Sequence, residues 1–408
     1  MSGVINKVKD SLKRGILGDV FFKLLANIVQ TIVRNIIVLP FLASYFIANE
    51  YGELVTVIGV ITTVSAGLGN SLLSARLVME SNYTHKNLQG DFNIICWIAS
   101  GLSVIATPFI AIAFPNQSYS NLIVIALILF LETFTGYQSG WFILKQAYRK
   151  LVLYTLVGGI GFGIGILGTN IFGIWTLTYA CSDIFCFIFL CLFSPLLKEK
   201  SILTGNLKMT LQKYSVLIIT TLISNALAYM DRLMLYPTIG SETVAIYTTA
   251  SFFGKAFSLI STPVSSIMLG YYATERIKLN RKKYWTINLG MLVVLGAFML
   301  ITALFGEWFT GILYPQLIQQ AAPFILLANL SSAIGATAQI TKSATLKYAK
   351  TYWTLVIQAI YAIVYIGLGL LMANGYGLWG FTYSVLIANT IQLLLLYVIC
   401  HISLGERK

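Results

Sequence analysis

In the apolar run DVFFKLLANIVQTIVR, residues 19–34, Asp19, Lys23, Asn27, Gln30 and Arg34 recur at i, i+4, i+8, i+11 and i+15. On a helix turning about 100° per residue, these five side chains occupy roughly 80° of one face. Thr248, Ser251, Lys255, Ser258 and Thr262 form a second stripe of similar width, with Lys255 at its centre. Thr221, Asn225 and Arg232 share a face of the segment before it. Three carboxylates, Glu132, Asp183 and Asp231, also lie in apolar surroundings. A carboxylate there is desolvated enough to titrate near neutrality, so each is a candidate carrier of a coupling proton or sodium ion. Each is equally a candidate to neutralise Lys255 or Arg34. The stripes imply helices with one side turned to something wet.

The elements that must position these residues belong to lipid. With 57% hydrophobic and only 10% charged residues over 408 positions, an ordinary soluble domain is excluded. A bilayer-crossing helix needs roughly 20 apolar residues. Twelve segments qualify, at 17–45, 52–75, 92–114, 120–143, 151–169, 173–194, 214–236, 243–270, 285–305, 317–341, 352–372 and 376–400. They are too long for transmembrane strands of about 9–11 alternating residues, so an all-α membrane protein with twelve transmembrane helices is expected. The start, MSGVINKVKDSLKRGILGD, has cations but no small-residue cleavage site after a short apolar region. It reads as a cytoplasmic tail with no removable signal peptide.

Of the 27 Lys and Arg residues, all but Lys23, Arg34, Arg232 and Lys255 fall in the two termini or in every second connection. These comprise Lys7, Lys9, Lys13 and Arg14; Arg76 and Lys86; Lys145, Arg149 and Lys150; Lys198, Lys200, Lys208 and Lys213; Arg276, Lys278, Arg281, Lys282 and Lys283; Lys342, Lys347 and Lys350; Arg407 and Lys408. The alternate connections, such as ANEYGE, FPNQSYS and TIGSET, contain none. That bias places both termini in the cytoplasm and requires an even helix count. It also accounts for the net charge of +13 without a nucleic-acid partner. Cys96, Cys181, Cys186, Cys191 and Cys400 lie in apolar helices without paired spacing, and His85 and His401 stand in or beside the cytoplasmic segments. No metal site or cofactor is expected.

The four exceptional cations differ in depth. Lys23 lies near the cytoplasmic end, where it can snorkel or pair with Asp19. Arg34 is roughly 16 Å further along its helix, too deep to snorkel inward. Lys255 is similarly deep, which suits a cavity or a buried pair. Arg232 directly follows Asp231 near the outer end of its helix, so a local ion pair competes with substrate contact there.

A charged stretch, 198–213, divides helices 1–6 (1–197) from helices 7–12 (214–408), an organisation of two bundles common among transporters. ANEYGELVTVIGV and GSETVAIYTTASF are weakly alike, and GGIGFGIGILG permits close helix packing. With PFLASYFIANEYGELVTVIGVITTVSAGLGNSLLSARLVM and YMDRLMLYPTIGSETVAIYTTASFF, the chain resembles the polysaccharide-transporter branch of the multidrug/oligosaccharidyl-lipid/polysaccharide exporter superfamily. Within that branch it most resembles the bacterial O-antigen flippase.

That resemblance implies two six-helix lobes around a central cavity, working by alternating access. It implies movement of an undecaprenyl-pyrophosphate-linked oligosaccharide across the bacterial inner membrane, with no covalent chemistry. A pyrophosphate head is a costly anion to desolvate, and Lys or Arg in a low-dielectric cleft offsets that cost. Arg34 and Lys255 are therefore the expected head-group contacts, Lys23 an entry contact, and Asn27 and Gln30 hydrogen-bonders to sugar or phosphate. Arg232 is a further candidate. Membrane lipids and, by resemblance, a polysaccharide polymerase are the expected partners, and a monomer is the expected state. A drug or cation antiporter of the same superfamily is the nearest alternative, although its cavity would be expected to concentrate carboxylates. A fourteen-helix lipid II flippase would need a longer chain. A polymerase or ligase would need a large outer loop bearing catalytic Arg or His, which the sequence lacks.

Overall fold

The computed structural model describes residues 18, 21–79, 90–199, 201, 203–273 and 279–406. Asp19, His85, Lys86, Lys200, Arg276, Lys278 and the terminal cations Lys7, Lys9, Lys13, Arg14, Arg407 and Lys408 lie outside the described residues, as does the side chain of Thr262. Among the described residues there is no strand.

Each of the twelve apolar segments lies on a helix. They are α1 (Phe21–Tyr45), α2 (Ala48–Met79), α3 (Asp91–Ala113), α4 (Tyr119–Leu144), α5 (Tyr148–Phe172) and α6 (Thr176–Phe193). Helix α7 runs Leu207–Ala228 and resumes as Met230–Thr238 after a break at Tyr229. Helix α8 comprises Ser241–Ala250 and Phe252–Ala273, interrupted at Ser251. Then follow α9 (Arg281–Leu313) and α10 (Ile318–Tyr348). The run Thr351–Glu406 contains Gly377 at φ 59°, ψ −143°. That conformation is open to glycine and strained for other residues, and it divides the run into α11 before it and α12 after it. Without the break, 56 residues would extend roughly 80 Å, far beyond one bilayer. The chain is an all-α, multi-pass membrane protein.

By contact, the chain groups into two compact units, residues 1–45 with 56–230 and residues 46–55 with 231–408. In the first unit, α5 lies against α6 along a glycine face. A Cβ on Gly161 would come 2.6 Å from Ser182 Cα, and one on Gly165 would come 2.6 Å from Thr178 Cα. Only small residues allow backbones this close. The first part of α7, Leu207–Ala228, joins the same unit because it packs on α2: Ser71 donates to the Leu217 carbonyl at 3.0 Å, and the Tyr214 hydroxyl to the Leu68 carbonyl at 3.0 Å. Helix counting divides the chain at 198–213, whereas contact keeps Leu207–Ala228 with the preceding helices.

Arg76, expected in a cytoplasmic connection, stands in the last turn of α2, which continues to Met79, and is only 2% exposed. It donates to both Glu199 carboxylate oxygens, at 2.8 and 2.5 Å, and to the Tyr137 hydroxyl at 2.6 Å. Asn93 holds the same connection, donating to the Leu196 and Glu199 carbonyls. A two-pronged carboxylate bond satisfies the planar fork of Arg, so its charge can be buried. The Phe92 ring lies against Arg76, with its centre 5.5 Å from the guanidinium carbon.

In the second unit, 46–55 is tied to the start of α8. A Cβ on Gly52 would fall 1.7 Å from the Ser241 carbonyl oxygen, so only glycine fits. The interruption of α8 at Ser251 leaves backbone groups that need partners. Asn329 of α10, fully buried, supplies two: its Nδ2 donates to the Ala250 carbonyl at 2.8 Å, and its Oδ1 accepts the Gly254 N–H at 2.5 Å. This amide fixes the backbone one residue before Lys255.

Candidate functional site

The first unit contains a shallow cleft lined by Arg34, Ile58, Ile61, Thr62, Ile128, Glu132, Trp175 and Tyr179, with about 210 Å³ of space that includes its open mouth. Its position follows from α1. Residues Ile32–Val38 form a π-helix in which the Leu39 N–H bonds to the Arg34 carbonyl. Such a segment departs from the 3.6-residue register on which the stripe was drawn. Lys23, Asn27 and Gln30 are exposed, whereas Arg34 is half-buried. Its Nη2 donates to the Thr62 hydroxyl at 3.0 Å, and its guanidinium carbon lies 5.6 Å from the centre of the Tyr179 ring, close enough for a cation–π contact. Glu132 of α4 and Asp183 of α6 both interact electrostatically with Arg34 and with each other. The structure thus gathers Arg34, Glu132 and Asp183 and leaves Lys23, Asn27 and Gln30 apart from them.

The second unit holds the other cluster. Lys255 Nζ lies 2.6 Å from Asp231 Oδ2, and Asp231 Oδ1 accepts the Arg232 backbone N–H at 2.9 Å. Arg232 is buried and donates from Nη1 to the Val55 carbonyl at 2.9 Å. The Asp231 side chain is 7% exposed and that of Lys255 is 37% exposed. The pair is therefore asymmetric, with its carboxylate enclosed and its ammonium side partly open. Lys255 also lies 5.9 Å from the Tyr247 ring centre, while Tyr361 and Tyr365 pack 5.6 Å apart between ring centres and interact electrostatically with Asp231. Asp231 and Lys255 form an ion pair here, and Arg232 beside them is bonded to the Val55 carbonyl. In the first unit's cleft, Glu132 accompanies Arg34, and Asp183 interacts electrostatically with both.

Protein-family models give no match, and neither do curated protein sequences. Solved structures do. An outward-facing multidrug resistance MATE family transporter of the MOP superfamily aligns with a TM-score of 0.68 at 14% identity, over 97% of this chain and 96% of that one. The D35N mutant of the Vibrio cholerae MATE transporter VcmN aligns with a TM-score of 0.65 at 13% identity, over 97% of this chain and 98% of that one. The chain has the MATE transporter fold. An inward-facing MATE transporter of the MOP superfamily, with a TM-score of 0.66 at 14% identity, covers 94% of this chain and 95% of its own. At these identities the shared property is the fold, which spans nearly the whole of both chains.

Several residues of the MATE-like fold that shape these clusters escape a sequence reading. Thr62, Tyr179 and Trp175 line the Arg34 cleft but look like ordinary packing residues. Asn329 positions the backbone next to Lys255, and its only signal is an amide within the apolar run PFILLANLSSAIG. Among the described residues, no three His, Cys, Asp or Glu side chains are grouped to hold a metal ion.

Proposed function

We propose that this protein is a transporter that moves a lipid-linked oligosaccharide with a pyrophosphate head from the cytoplasmic to the periplasmic leaflet of the bacterial inner membrane, by alternating access between lobes 1–197 and 214–408. The carrying observation is the Lys255–Asp231 pair beside Arg232: its carboxylate is enclosed, while the Lys255 side chain remains more than a third open. A desolvated phosphate is stabilised by such a group through charge-assisted hydrogen bonds. Lys23, Asn27 and Gln30, exposed on α1, suit an entry surface, and Arg34 a compensated cation next to it. Both termini are placed in the cytoplasm by the loop charges. The working unit is a monomer, with a polysaccharide polymerase as the partner that takes the flipped product. No bond is made or broken, so no catalytic residue is assigned.

A second reading, a drug or cation antiporter, is favoured by the electrostatic interaction of Glu132 and Asp183 with Arg34 and by multidrug resistance transporters sharing the fold. In either reading Glu132, Asp183 or Asp231 would carry the coupling proton or sodium ion. Cells lacking their own flippase separate the two. Rescue of surface polysaccharide by the wild type, and loss of rescue in Lys255→Ala at matched membrane levels, supports the flippase. Extrusion of a cationic dye without polysaccharide rescue supports the antiporter.

A further inference from the structure

Lys342 reads from the sequence as a loop cation, but it lies within α10, which continues to Tyr348. It is half-buried, and among the described residues no carboxylate pairs with it; its Nζ donates to Gln358 Oε1 at 3.4 Å. A half-buried cation near the membrane is costly unless something answers its charge. The surroundings of Lys342 form a polar track. Gln358, Tyr361 and Tyr365 recur at i, i+3 and i+7 on one face of α11. That face runs from the Lys342 contact to the tyrosines that interact with Asp231. On the neighbouring side, Ser265 of α8 donates to the Gln339 carbonyl at 2.8 Å, one helical turn from Lys342. Ser265 is ten residues beyond Lys255, roughly 15 Å along the helix. Cations thus stand at both ends of one polar stretch within a single unit.

We propose that Lys342, with Gln358, is a second contact for an anionic phosphate head, at the end of the track nearest Lys347 and Lys350. It takes the head before, or alternately with, the Lys255 cluster. The spacing allows handover in steps, so the charge need not cross an apolar gap in one move. This inference rests on the reading of Lys255 as a head-group contact.

The test measures binding of a sugar-free polyprenyl pyrophosphate to the purified protein in lipid nanodiscs, with neutral polyprenol and inorganic pyrophosphate as comparison probes. Lys342→Gln is expected to weaken lipid pyrophosphate binding about tenfold, the loss of one charge-assisted contact. Lys342→Arg should bind within about threefold of the wild type, since it keeps the charge. Helical circular dichroism and elution volume establish that each variant is folded. If Lys255→Gln weakens binding while Lys342→Gln binds like the wild type, the second contact is overturned and the Lys255 reading stands. If neither variant weakens binding, or polyprenol binds as well as its pyrophosphate, both readings fall. Inorganic pyrophosphate binding as tightly as the lipid would assign Lys342 to a soluble phosphate compound and overturn a lipid-head role.

Discussion

Replacing Asn329 by Ala removes the side chain that holds the interruption of α8. Three hydrogen bonds disappear: to the Ala250 carbonyl, from the Gly254 N–H and to the Ile325 carbonyl. The last costs little, because the Ile325 carbonyl can still accept within its own helix. The other two leave buried backbone groups without this partner. In water-soluble cores each such group costs about 1–3 kcal/mol. Interhelical hydrogen bonds in membranes average nearer ~0.6 kcal/mol, with a maximum of about 1.7 kcal/mol, because the reference state also finds partners. The two together then contribute roughly 1–3 kcal/mol. For a folding unit of this size, that lowers the melting temperature by roughly 3–10 °C. The assay is thermal unfolding in detergent followed by tryptophan emission, to which Trp285, Trp308, Trp353 and Trp379 of the second unit contribute. Asn329→Asp keeps an acceptor for Gly254 but places carboxylate oxygen against the Ala250 carbonyl, so it should be at least as destabilising. An Asn329→Ala melting temperature within about 1 °C of the wild type would refute the claim that this amide secures the break.

Two further outcomes follow from the first unit. Gly161→Leu should abolish or sharply reduce folded protein recovered from membranes, because the added side chain meets backbone already 2.6 Å from an ideal Cβ; normal yield and elution would contradict the packing. Arg76→Ala removes the guanidinium bonds that hold the Glu199 carboxylate to α2. It should lower thermal stability by about 3–5 kcal/mol if the site stays dry, or less if water enters, and speed proteolysis of the connection around Glu199, whereas an unchanged cleavage rate would show that the pair does not anchor it.

The helices were legible because lipid imposes a length and composition that no other solvent does. Their interruptions were less so. Segment 243–270 reads as one helix, yet it breaks at Ser251, where a partner on another helix makes the break affordable. The depths of Lys255 and Arg34 could be read from spacing, but their partners could not. Asp231 lies 24 positions from Lys255, and Glu132 nearly 100 from Arg34; no periodicity connects residues on different helices. The stripe on α1 runs into a π-helix at Ile32–Val38, so its spacing near Arg34 is not the constant 100° step that the sequence suggests. Arg76 and Lys342 fall just outside the apolar windows because hydropathy drops at a charge, while helices α2 and α10 continue past it. A charge ends an apolar window without ending a helix.

The central claim is transport of a pyrophosphate-headed lipid through the Lys255 cluster. It is tested most directly by flipping of a short-sugar polyprenyl-pyrophosphate lipid in liposomes containing the purified protein, scored by an external sugar-modifying enzyme. Protein-dependent modification of lipid that began on the inner leaflet, lost in Lys255→Ala and largely kept in Lys255→Arg, is the predicted result. Absence of flipping with several sugar types, under both proton and sodium gradients, while the same liposomes exchange a cationic drug, would contradict it.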